Sequence, residues 1–100
     1  MDNFQDLMNY VLPWAKQNSE PVADITFRCF MHIQNNAGLL SRYNTLLAAK
    51  GATPQVRQTV NEQIAKEIEF ALNLQSDGKV ELPKGEFLIN SYSRLKEKTI

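Results

Sequence analysis

The chain has one cysteine and one histidine in 100 residues. A single cysteine excludes an intrachain disulfide, so the framework is not that of a stapled secreted domain. With one cysteine and one histidine, a metal site would have to draw its other ligands from carboxylates, and no zinc-type spacing is present. No metal and no cofactor is expected. An excess of charge is missing as well: 11 basic residues meet 11 acidic ones, and each half of the chain is balanced, four against four in 1–50 and seven against seven in 51–100. No segment serves as a basic arm or an acidic tail. The long-range attraction of a dedicated nucleic-acid or membrane-surface binder is therefore lacking. No apolar run exceeds four residues, far short of a membrane span. Asp2 and Asp6 stand where a signal peptide needs positive charge, which makes a cytoplasmic location the expectation. The glycines at 38, 51, 78 and 85 are scattered and build no phosphate-cradling loop.

What is present is ordinary for a globular domain: 43% hydrophobic and 22% charged residues, with a length suited to one domain spanning 1–100. A balanced net charge gives little protection against self-association and favours a bound partner or an oligomer. The densest apolar stretch is 22–33, VADITFRCFMHI. At roughly 100° per residue, Val22, Ile25, Phe27, Cys29, Phe30, Met31 and Ile33 cover most of a helical wheel. Only Asp24, Arg28, His32 and Asn35 form a polar stripe. Such a helix must be surrounded, by its own fold or by a partner.

Helical spacing recurs along the chain. Phe4, Leu7, Met8, Val11, Leu12 and Ala15 share a repeat behind a cap at Asp2 or Asn3. Pro13 predicts a kink or an end near Leu12. Ser19-Glu20-Pro21 is a start signal for the next helix. Asn35, Asn36 and Gly38 weaken the helical tendency, while the apolar register runs on through Leu40, Tyr43 and Leu47, so 20–50 reads either as one long helix or, in the favoured reading, as two with a break or kink near 36. Gly51 is a stop, and Thr53-Pro54 a second start. Val56, Val60, Ile64 and Ile68 then define one buried face. Ser76-Asp77-Gly78 is a turn. Lys79-Val80-Glu81-Leu82 alternates, but no pairing strand is evident. Leu88, Tyr92 and Leu95 predict a last helix over 86–98. The sum is an all-α, single-domain bundle of four or five helices, with at most a short extended segment near 79–82.

The candidates for chemistry are few. Asp24, Arg28 and His32 lie in a row on one helix face. An arginine beside a histidine suits phosphate binding or proton transfer, yet the stripe reads more simply as an exposed Asp24–Arg28 ion pair. Cys29 falls between Ile25 and Ile33 on the apolar face and reads as a small core residue rather than a nucleophile. Glu67 and Glu69 point roughly 200° apart and share no substrate. Ser91 and Ser93 have no glycine elbow. The expectation is a protein that is not an enzyme.

Two binding readings remain. In the first, apolar excess leaves a ridge of Phe27, Met31, Leu39 and Tyr43 facing another protein or a second copy of the chain. The chain is then a small regulator, inhibitor, immunity or assembly factor acting by stoichiometric contact. In the alternative, Arg94, Lys96 and Lys98 on a basic C-terminal helix contact phosphates in a weak nucleic-acid accessory role. A helix-turn-helix around Gly51–Pro54 is disfavoured, because the helix that follows exposes Glu62 and Glu69.

Overall fold

The computed structural model describes residues 2–98. Four α-helices come first: α1 (Asn3–Gln17), α2 (Ile25–Asn35), α3 (Ala37–Ala49) and α4 (Pro54–Leu72). A 3-10 turn, Val22–Asp24, leads into α2. The chain closes with an antiparallel hairpin of β1 (Leu74–Glu81) and β2 (Ser91–Glu97). The arrangement is α+β, which corrects the expectation of an all-α bundle. The residues predicted as a last helix, 86–98, form instead a connecting loop and strand β2.

Local chemistry accounts for the helix boundaries. The Asp2 carboxylate accepts from the Gln5 N–H at 2.7 Å, the Asn36 side chain from Leu39 N–H at 3.0 Å, and the Thr53 hydroxyl from Val56 N–H at 3.1 Å. Each such cap contributes about 1 kcal/mol. Asn36 ends α2 with extended backbone and starts α3 with its side chain, so the predicted break near 36 is one residue wide. At the other end of α4, Asn73 adopts φ 56°, a left-handed stop. Gly51 and Ala52, at φ 102° and 53°, reverse the chain between α3 and α4.

Two other expectations are corrected here. Of the two outcomes expected at Pro13, a kink or an end near Leu12, the end does not occur: α1 continues through Pro13 to Gln17. Its last turn is held by packing: Ala15 is fully buried and Trp14 stacks on His32. Pro13 lies on the exposed side of the helix, away from the core. The second helix begins at Ile25 and not directly after Pro21, because the Val22–Asp24 segment forms a tighter turn.

One core joins all elements. Leu7, Met8 and Val11 of α1 meet Ile25, Cys29, Phe30 and Ile33 of α2, Tyr43 and Leu46 of α3, and Val60, Ile64 and Ile68 of α4. α1 packs chiefly on α3, and α2 on α3 and β2. Leu74, Ile89 and Leu95 close the core from the hairpin. The hairpin therefore supplies the cover that the apolar α2 requires.

Candidate interaction surface

The polar stripe of α2 is used for structure. Arg28 donates through Nη1 to the Asn18 carbonyl and through Nη2 to the Pro21 carbonyl, each at 2.6 Å. Its planar fork ties the α1–α2 connection to α2. Asp24 accepts from the Tyr92 hydroxyl at 2.8 Å and lies 3.9 Å from Arg94 Nε. The expected Asp24–Arg28 ion pair is thus replaced by two separate attachments, one to the preceding loop and one to β2. His32 lies flat on Trp14, with ring centroids 4.2 Å apart and planes 8° apart. Burial, helped by the hydrogen bond and the negative charge of Asp24, raises the Tyr92 pKa, while Arg94 opposes the shift. The stripe offers an incoming substrate no convergent acid and base.

Cys29 is fully buried, and burial pushes its thiol up to about 12 against a small opposing effect of Arg28. Such a thiol carries little thiolate near neutrality. Among the described residues, no group of three His, Cys, Asp or Glu side chains is placed to hold a metal ion, and no helix is long and apolar enough to cross a membrane.

Two of the four residues of the predicted protein-facing ridge lie in the core. Tyr43 is 0% and Leu39 5% exposed, so both belong to the core. The Tyr43 hydroxyl donates to Asn61 Oδ1 at 2.6 Å, and Asn61 Nδ2 donates to the Leu88 carbonyl at 3.1 Å. Phe27 is half-buried, edge-on to Phe87 at 5.4 Å and tilted against Tyr92 at 5.3 Å. Met31 is half-buried beside it on the same helix. The cover over Phe27 comes from the loop and strand that sequence spacing had assigned to a helix. Gln34 fastens that loop: it accepts from Leu88 N–H at 2.9 Å and donates to the Glu86 carbonyl at 3.2 Å. Neither Gln34 nor Asn61 carries a sequence signal, because an amide on a helix face is ordinary until its distant partner is known.

The cations of the alternative reading lie on β2 and just beyond it, not on a helix. Asp24 accompanies Arg94, and Asp77 lies 3.6 Å from Lys96 Nζ. Lys98 is exposed after the end of β2. Carboxylates beside two of the three cations reduce what the group offers to a phosphate.

Among the described residues, two large apolar side chains stand out in water: Tyr10, 50% exposed, and Phe70, 83% exposed. Tyr10 is engaged. Arg42 lies 4.2 Å over its ring and donates from Nη2 to its hydroxyl at 3.3 Å. Phe70 stands on the outer face of α4. Thr59, Gln63, Lys66 and Glu67 lie on that face at helical spacing and are all exposed. One lysine and one glutamate leave this face without net charge, and its other polar groups are uncharged; the two long charged side chains keep their heads in water only if they lie at the rim of a contact centred on Phe70. The signal was in the sequence: Phe70 falls off the Val60–Ile64–Ile68 stripe, yet it is aromatic.

The fold defines a small α+β domain, four helices closed by one hairpin. No protein family, curated protein or solved structure matches the chain.

Proposed function

We propose that the chain acts by stoichiometric contact with another protein, through the outer face of α4 centred on Phe70. The observation that supports this is the 83% exposure of Phe70 on a helix whose other large apolar residues turn inward. Covering a phenylalanine side chain contributes on the order of 2 kcal/mol. Interface energy is usually concentrated in a few large anchoring side chains, ringed by contacts that add little energy but exclude water. The nucleic-acid reading is less well supported, because Asp24 and Asp77 accompany Arg94 and Lys96.

The test uses tagged wild type and Phe70→Asp as bait in an extract of the source cells. Equal melting temperatures establish that both are folded. A protein retained by the wild type in fixed stoichiometry and lost with Phe70→Asp is the expected result. An identical retained set for both baits overturns the reading.

A further inference from the structure

We infer that β1 pairs with β1 of a second copy of this chain, forming a four-stranded antiparallel sheet across a twofold axis at Val80. β2 packs against the 3-10 turn and α2, whereas β1 meets chiefly β2 and the end of α4. The sheet has no third strand among the described residues. Leu82 N–H donates to the Asn90 carbonyl at 2.8 Å, in line with the register that pairs Val80 with Tyr92 and Glu81 with Ser91. Backbone groups alternate sides along an antiparallel strand. Val80 and Leu82 therefore address β2, and the N–H and C=O groups of Lys79 and Glu81 point to the open edge. Neither residue makes a backbone hydrogen bond outside the hairpin among the described residues.

An antiparallel copy centred on Val80 sets Lys79 opposite Glu81 of the second copy, and Glu81 opposite its Lys79. Both residues present outward backbone groups, so each pair is of the doubly hydrogen-bonded kind. The side chains match too. Lys79 Nζ and Glu81 Oε1 lie 3.7 Å apart within one chain, and the two side chains are 66% and 76% exposed. The second copy converts this single pair into a ring of alternating charges. Val80, half-buried on the Tyr92 side, meets its own copy at the axis.

The open ladder is short. Pro83 has no donor to offer. On the other side, the register shift between Ser76 and Lys79, with Gly78 at φ 101°, ends regular pairing. A contact this small gives a weak dimer that depends on concentration. The inference is independent of Phe70.

Sedimentation velocity from about 10 μM to about 1 mM spans the range of weak association. The wild type is expected to shift from monomer toward dimer. Lys79→Glu and Glu81→Lys each place like charges across the axis, and each is expected to weaken association about tenfold. An equimolar mixture of the two restores opposite charges and is expected to associate like the wild type, which also shows that both variants are folded. Phe70→Asp is expected to dimerise normally. A wild type that stays monomeric throughout overturns the proposal, as do single reversals without effect, a mixture that fails to associate, or a Phe70→Asp variant that no longer dimerises.

Discussion

Arg28→Ala is the substitution with the clearest worked consequence. The guanidinium donates two hydrogen bonds of 2.6 Å to the Asn18 and Pro21 carbonyls, and among the described residues no other side chain donates to those carbonyls. A hydrogen bond from a charged donor contributes about 1.5–3 kcal/mol, so the pair sets an upper value of about 3–6 kcal/mol. Two effects lower it. Arg28 Nε is buried without a partner, a cost that the substitution removes. The freed carbonyls lie near the surface and gain water. A net loss of about 2 kcal/mol follows, which for a domain of this size lowers the melting temperature by roughly 8–16 °C. Arg28→Lys keeps the charge but reaches one carbonyl at a time, so about half of the loss remains. Urea unfolding followed by far-UV circular dichroism measures both variants. A change below about 0.5 kcal/mol for Arg28→Ala, the range of ordinary surface substitutions, would refute this reasoning.

The remaining predictions concern pH and backbone. Burial raises the pKa values of Cys29, Tyr43 and Tyr92 in the folded state. The folded chain then holds protons that the unfolded chain has released, so stability is full below the unfolded values and falls as pH rises through the folded ones. For Cys29 the fall starts near 9 and extends to about 12. Cys29→Ala is expected to show a shallower loss of stability above pH 9 than the wild type, measured by urea midpoints; parallel profiles would contradict it. Ala52 sits at φ 53°, where a side chain is strained. Ala52→Gly is therefore expected to raise stability by about 0.5–1 kcal/mol, read from the urea midpoint, and a destabilised variant would contradict that expectation.

The helical part of the fold was legible because its signals are local. Asp2 and Thr53 cap the helices that they precede, Asn36 interrupts the helical register between α2 and α3, and Gly51 stops α3. The stripe Val60–Ile64–Ile68 is the buried face of α4. The hairpin was not legible, because its evidence is non-local. Leu88, Tyr92 and Leu95 sit at spacings of four and three, which fit a helix as well as they fit this loop and strand. Only the pairing of 74–81 with 91–97 separates the two alternatives, and a strand of alternating polarity shows no partner until the chain has folded. The error in the candidate surface follows from it. Helical spacing alone leaves Phe27 open, because it does not bring Phe87 and Tyr92 over that ring. The basic group moved for the same reason: Arg94 and Lys96 on a strand lie beside Asp24 and Asp77, which no helical spacing brings near. Pro13 shows packing outweighing propensity, since the Trp14–His32 stack and buried Ala15 hold the last turn of α1.

The most direct measurement of the central claim is a nitrogen-15 spectrum of the labelled chain titrated with the captured protein. Signals of Thr59, Gln63, Lys66, Glu67 and Phe70 are expected to shift or broaden while those around Arg94, Lys96 and Lys98 stay in place. Perturbations confined to the hairpin cations, with the outer face of α4 silent, would contradict it.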